Sequence, residues 1–130
     1  MPSTRSTCRA GCAAAITAGL LAVGAATASA HAGVASTTPA AGKTAPTTIR
    51  VVSVRFNGGI HSGTLKVTGP GGAKVSVGAG KRNARNVTLL AVRLRSGLAP
   101  GRYTVTWKAI AFDGHTQTGA FRFRLVKRGR

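Results

Sequence analysis

The most regular stretch of the sequence is Arg102-Tyr103-Thr104-Val105-Thr106-Trp107-Lys108-Ala109. Apolar and polar side chains alternate along it, so that Tyr103, Val105, Trp107 and Ala109 would share one face of an extended chain. A period of two is typical of a β-strand with one buried face. We therefore predict a half-buried strand whose aromatic side chains pack in the core rather than form a ligand platform.

Similar stretches recur after residue 30, where no helical period occurs and turns rich in glycine and proline separate the apolar runs. We predict further strands at Ile49–Phe56, Thr64–Thr68, Ala73–Val77, Val87–Leu94 and Thr118–Val126. The second and third of these would form either a hairpin or neighbouring edge strands across Gly69–Gly72. Residues 32–48 are predicted to be an extended lead-in, and residues 78–85 a loop. Six or seven short strands of this kind predict an antiparallel β-sandwich.

A proline-glycine corner precedes the most regular strand. Pro100-Gly101 stands just ahead of Tyr103. β-Sandwiches use a turn of this kind before a strand tyrosine to fix a crossing between their two sheets. We expect the same function here.

The first 30 residues have the composition of a cleaved export signal. Arg5 and Arg9 form a basic leader, residues 13–26 are an apolar run, and Ala28-Ser29-Ala30 resembles a cleavage site. The apolar run is shorter than the roughly 20 residues that span a bilayer, which favours a signal over an anchor. We therefore divide the chain into a signal peptide, residues 1–30, and an exported domain, residues 31–130, located in the periplasm, the cell envelope or outside the cell.

The charge of the chain is strongly positive. The sequence has 19 Lys and Arg residues against one acid, Asp113, and removal of Arg5 and Arg9 would leave a domain of net charge 17 − 1 = +16. Such a balance favours anionic surfaces. Export makes nucleic acid an unlikely partner, and a simply solvated basic surface is an equally good interpretation.

Few residues of the predicted domain suit a metal. Both cysteines, Cys8 and Cys12, and Met1 lie in the leader, so a disulfide framework is excluded and soft ligands for Cu(I) are missing. The remaining candidates are His31, His61, Asp113 and His115. Asp113 and His115 flank a glycine, so that a carboxylate oxygen and an imidazole nitrogen can turn toward one point.

Cleavage before His31 would add a free α-amine next to its imidazole, and the two groups could chelate one metal. With the His115 imidazole and an Asp113 oxygen, the donor set would be three nitrogens and one oxygen, which suits the tetragonal preference of Cu(II). Taken singly, an Asp-Gly turn and a loop histidine are usually structural. Their combination with an N-terminal histidine is what predicts a Cu(II) site of His31, Asp113 and His115.

Several motifs, in this order, resemble those of the CopC-type copper-binding proteins of the bacterial cell envelope. They are His31-Ala32, Ser36–Gly42, the strand ending at Phe56, Leu98–Trp107 and Asp113–Phe123. The resemblance implies an immunoglobulin-like β-sandwich of about seven strands with Greek-key topology. It also implies Cu(II) binding through His31, Asp113 and His115, in copper homeostasis or resistance, and a membrane copper transporter of the CopD type as partner.

The chain also departs from this family. Ala41 and Asn57 stand where members often carry acidic residues, and the Met-rich Cu(I) segment of some members is missing. His61, assigned to the loop 58–63, is interpreted as an exposed side chain, with the role of an additional ligand left open.

Three functions are compatible with the sequence. We favour a Cu(II)-binding protein without enzymatic turnover. The second is a copper oxidase or monooxygenase, since an N-terminal histidine chelate also supports oxygen chemistry. The third is a cationic module that adheres to an anionic envelope surface without a metal.

Overall fold

The computed structural model describes residues 33–128, and its regular structure there is β apart from one 3-10 turn at Pro70–Gly72. The predicted signal, residues 1–30, and His31 lie outside these residues, so the proposed division of the chain stays a prediction. The strands are β1 (Val34–Thr38), β2 (Thr44–Pro46), β3 (Val51–Phe56), β4 (Ile60–Thr68), β5 (Ser76–Arg82), β6 (Leu89–Leu94), β7 (Gly101–Ala111) and β8 (Thr116–Val126).

The eight strands form two four-stranded sheets. One sheet has the order β1-β3-β6-β5 and the other the order β2-β8-β7-β4. Strands are antiparallel to their neighbours except where β2 runs parallel to β8. Only β5–β6 and β7–β8 are consecutive in the chain and also hydrogen-bonded neighbours, because the other connections cross between the sheets. The predicted β-sandwich is confirmed, with eight strands rather than six or seven.

The core lies between the inner faces of the two sheets and follows the alternation in the sequence. The inward side chains are almost fully buried: Val52, Val54 and Phe56 of β3; Leu65 and Val67 of β4; Leu90, Val92 and Leu94 of β6; Tyr103, Val105 and Ala109 of β7; Phe123 and Leu125 of β8. Burial of such side chains is the main favourable term in folding. The buried face predicted for β7 is therefore confirmed apart from Trp107, and the other strands follow the same alternation.

Two aromatic side chains predicted to be in the core lie at its margin. Trp107 and Phe121 are half-buried and pack against the core cluster. The Trp107 ring meets the Phe56 ring edge to face, with centroids 5.2 Å apart. Gly119 lies opposite Trp107 on β8, and a Cβ atom there would come within 2.4 Å of the indole. The absence of a side chain at residue 119 is what allows the indole to cover the strand.

Several segments differ from the predictions. β1 and β2 lie within the predicted lead-in, where the Ala, Thr and Pro composition shows no alternating apolar face. β5 continues to Arg82 through the segment predicted to be a loop. The sequence pattern did not reveal this part of the strand, because a bulge after Val77, with Gly78 and Gly80 at positive φ, interrupts the period of two. β4 begins at Ile60, so His61 lies in a strand and its assignment to a loop is wrong.

Two arrangements were predicted for the middle of the chain, a hairpin or neighbouring edge strands, and the structure has the second. β4 and β5 are edge strands of different sheets, joined near Pro70–Gly72 by the single bridge between Thr68 and Lys74. The buried Ser76 hydroxyl accepts a hydrogen bond of 3.1 Å from the Val67 amide. This bond ties the start of β5 to β4 across the open side of the sandwich.

A tyrosine hydrogen bond secures the corner predicted before β7. The Tyr103 hydroxyl donates a hydrogen bond of 2.6 Å to the Ala99 carbonyl, four residues upstream. Its ring is buried and stacks on Phe123, with centroids 5.6 Å apart and planes 10° apart. Burial raises the pKa of the Tyr103 hydroxyl, although the nearby Arg95 charge opposes the shift. The Tyr103 hydroxyl therefore stays protonated at neutral pH and donates the hydrogen bond that holds the corner.

We predict that Tyr103→Phe lowers the free energy of unfolding by about 1 kcal/mol at neutral pH, since one buried hydrogen bond is lost. The wild-type protein should also lose stability above about pH 10, where the unfolded chain releases the tyrosine proton and the folded chain still holds it. The variant should lose less. Urea unfolding of both proteins at neutral and alkaline pH measures the difference.

Tyr103 is the only tyrosine of the chain, so its ionisation can be followed directly by absorbance in the folded protein. Equal alkaline loss of stability in the two proteins would contradict the prediction and assign that loss to other groups.

Candidate functional site

The loop between β7 and β8 is a tight hairpin connection formed by Phe112, Asp113 and Gly114. The Gly114 amide donates to the Ala111 carbonyl at 3.0 Å, and the Ala111 amide donates to the His115 carbonyl at 3.0 Å. Gly114 has a φ of +87°, which is unfavourable for residues with a side chain. Three-residue hairpin loops favour glycine at this position. The Asp-Gly pair is therefore the local reason that the two strands turn here.

The structure brings Asp113 and His115 together. One Asp113 oxygen, Oδ1, accepts a hydrogen bond of 3.0 Å from the His115 amide, and the other, Oδ2, lies 3.1 Å from the imidazole Nδ1 of His115. The side chains are 66% accessible for His115 and 27% for Asp113. The carboxylate is thus fixed by the loop, while the imidazole faces solvent.

This arrangement can offer two donors to a metal. A carboxylate near Nδ1 fixes the tautomer of an imidazole and directs its Nε2 toward a metal, as in many metal sites. An ionised carboxylate has about four acceptor positions, so Asp113 can hold His115 and still offer an oxygen. Within residues 33–128, no group of three or more His, Cys, Asp and Glu side chains could hold a metal ion. The two described donors would therefore form half of a four-coordinate site.

Charge also singles out this loop. Asp113 is the only acidic residue of the whole sequence, which has 19 basic residues. A divalent cation that approaches the protein meets a positive field over most of the surface. Asp113 is the one side chain that can offset this repulsion.

The first residues of β4 lie beside the loop. Ile60 pairs with Ala111 at the last position before the loop, and a bulge follows at His61. The His61 ring meets the Phe112 ring edge to face, with centroids 6.1 Å apart. Phe112 also lies against Gly59, where a Cβ atom would come within 2.6 Å of its ring. His61 is exposed, as predicted, and lies near the loop with its ring against Phe112.

Phe112 is an exposed aromatic residue beside the loop that the sequence patterns did not predict. The residue is 61% exposed, although its ring contacts Gly59 and His61. The signal in the sequence was its position, directly after the alternating strand and before Asp-Gly, where no core face remains for it.

The N-terminal segment reaches the same end of the sandwich. The Asn57 amide donates to the Gly33 carbonyl at 2.8 Å, and Val34 pairs with Phe56. Asn57 is three residues before Ile60, which pairs with Ala111 beside the loop. Gly33 therefore lies at the end of the sandwich that carries Asp113 and His115. His31, two residues earlier in the chain, is outside the described residues.

Comparison with known proteins identifies the family. The CopC domain matches residues 34–126, which include all eight strands and the Asp113 loop. The chain belongs to the CopC family. The protein YobA of Escherichia coli K12 is 32% identical over 98 residues, which are 74% of this CopC-family chain and 79% of YobA. YobA of Shigella flexneri matches with the same figures.

Solved structures have the same fold as this CopC-family chain. CopC from Methylosinus trichosporium OB3b has a TM-score of 0.69 and 24% identity over 77% of this chain and 98% of its own. The copper resistance protein PcoC from Escherichia coli has a TM-score of 0.57 and 23% identity over 72% and 98%. Both comparisons support the β-sandwich. Between residues 33 and 128, no helix is long and apolar enough to cross a membrane.

We predict that Asp113→Ala increases amide hydrogen exchange at His115, since the acceptor of its amide is removed. Asp113→Asn should retain most of the protection, because the amide oxygen of asparagine can accept the same bond. Exchange measured by NMR at His115, with the Val105 amide in the middle of β7 as internal reference, distinguishes the two. Equal exchange in both variants would mean that the carboxylate does not order the loop.

Proposed function

We propose that this protein is an exported copper-binding protein that holds one Cu(II) ion at the Asp113 loop. The observation that supports this most is the position of Asp113 and His115, 3.1 Å apart at the end of the sandwich where the N-terminal segment also lies. Membership of the CopC family supports the same function, as does the fold shared with the copper resistance protein PcoC. The proposed role is binding rather than turnover.

The proposed donors are the His115 imidazole, an Asp113 oxygen and the α-amine and imidazole of His31. Two residues of extended chain span at most about 7 Å, so a chain that starts at His31 begins within short reach of the strand position of Gly33. A set of three nitrogens and one oxygen suits Cu(II), and in the usual order of affinities Cu(II) binds such a site more tightly than Zn(II). We assign no soft ligand, because Cys8, Cys12 and Met1 all belong to the predicted signal.

The proposed role follows from this donor set. A protein that binds Cu(II) through two surface side chains and a chain terminus can exchange the ion without unfolding. Such a site suits buffering of copper outside the cytoplasm and transfer to a membrane copper transporter of the CopD type. Cleavage after Ala30 would then create the site as well as release the protein.

A one-residue extension tests the chelate. We expect the chain that begins at His31 to bind Cu(II), and the same chain with one alanine before His31 to bind far more weakly. The loss should exceed the roughly 10–100-fold typical of losing an outer-shell partner, because a direct donor is removed. Competition titration with a chelator of known affinity gives both constants. Equal affinity together with an unchanged Cu(II) electron paramagnetic resonance spectrum would rule out the α-amine as a ligand, because the added alanine brings an α-amine of its own in a different chelate geometry.

A pair of histidine variants tests the loop. We expect His115→Ala to weaken Cu(II) binding strongly and His61→Ala to leave it nearly unchanged, although both side chains are exposed at the same end of the sandwich. The physical reason is that only His115 is held by the Asp113 carboxylate. Titration of the two variants, together with the Cu(II) electron paramagnetic resonance spectrum of each, compares the ligands directly. A larger loss in the His61 variant would contradict the assignment of His115 as the ligand and favour His61.

A further inference from the structure

The outer face of the β2-β8-β7-β4 sheet is a second region of unusual chemistry. Its side chains alternate with the core residues of the same strands and are exposed to solvent. Five of them are basic: Lys66 of β4, Arg102 and Lys108 of β7, and Arg122 and Arg124 of β8. The exposed positions between them include Thr64, Thr106 and Thr118. This face therefore presents cations and hydroxyl groups.

Three arginines of this face lie together, and we call them the arginine cluster: Arg102, Arg122 and Arg124. Arg102 is directly opposite Arg124 on the neighbouring strand, and Arg122 is opposite Thr104, the next outward position. Like charges that face each other across two strands destabilise a sheet. A bound anion would remove this repulsion.

The chain offers the arginine cluster no acidic side chain. Asp113, its only one, belongs to the loop at the opposite end of the β7–β8 hairpin. From Arg102 to Ile110, the last paired residue of β7 before that loop, the strand extends about 26 Å at 3.3 Å per residue. This distance exceeds the Debye length in physiological salt, about 8 Å, so the Asp113 charge is largely screened from the arginine cluster.

The arginine cluster also surrounds a recess. Gly42 and the three arginines line an open concavity of about 360 Å³. Guanidinium groups bind phosphate oxygens through paired hydrogen bonds, and several around one recess suit one phosphate group. Gly42 has no side chain to fill the space.

We propose that this sheet face docks the protein on an anionic phospholipid surface, with a lipid phosphate in the recess of the arginine cluster. A broad sheet face suits a planar surface, and the threonine hydroxyls between the cations can donate to headgroup oxygens. The face carries no aromatic side chain among the outward residues of β4, β7 and β8, whereas single-stranded nucleic acid is commonly bound by stacking on such residues. The inference is independent of the copper site.

A pair of variants with equal net charge tests this proposal. Arg102→Gln/Arg122→Gln/Arg124→Gln neutralises the arginine cluster, and Arg55→Gln/Lys81→Gln/Arg93→Gln neutralises three exposed cations on the outer face of the other sheet. Both remove three positive charges. The chain from His31 to Arg130, which contains both sheets, is sedimented with vesicles of phosphatidylglycerol and phosphatidylcholine, and with vesicles of phosphatidylcholine alone. Thermal unfolding of each variant checks that it is folded.

We expect wild-type protein to sediment with the anionic vesicles only, and less as salt increases. The arginine-cluster variant should partition on the order of 100-fold less, since each basic residue near an anionic bilayer contributes about 1 kcal/mol. The control variant should lose much less. Equal loss in both variants would overturn the proposal in favour of net charge alone. Retention on immobilised polyphosphate without vesicle binding would overturn it in favour of a polyanion.

Discussion

The pairing of β7 with β8 is the constraint on which the rest of the structure depends. Ten residue pairs connect the two strands, from Gly101 opposite Leu125 to Ile110 opposite Thr116. A shift of one residue in this register would turn every inward side chain outward. The Asp-Gly turn sets the register at one end of the hairpin, and the Tyr103 corner secures the other. The same ladder therefore aligns the core, the Asp113 loop and the arginine cluster.

Much of the fold could be predicted because alternation is visible wherever a strand has one buried face. The inward sides of β3, β6, β7 and β8 follow directly from it, and the corner at Pro100-Gly101 is visible as a short local motif. Strands without a buried face could not be found in this way. β1 and β2 consist of small and polar residues, and their place depends on partners distant in the sequence. A bulge had a similar effect in β4, because its one extra residue reverses the alternation that follows. In β5, two extra residues between Val77 and Lys81 interrupt the pairing with β6.

Part of the candidate site could also be predicted, but from composition and local spacing rather than from alternation. A single acid in a basic chain is a compositional signal, and Asp-Gly-His is short enough for its geometry to be local. The structure brings the Asp113 and His115 side chains together as the spacing suggested. The residues that surround the loop could not be predicted in this way. Phe112 contacts Gly59 and His61, which lie at the start of another strand, and no local pattern reveals how that strand pairs with β7. The ligand role of His31 stays a prediction.

The bulges have a consequence for the behaviour of the protein at high concentration. A β-sandwich has four outer strands, and each can template the addition of a foreign strand and so start amyloid growth. Here β1, β4 and β5 are each distorted by a bulge, and β2 is three residues long and ends in Pro46. The chain should therefore resist fibril formation even when it accumulates, and the bulge at His61 contributes to that resistance whether or not the imidazole has a role of its own.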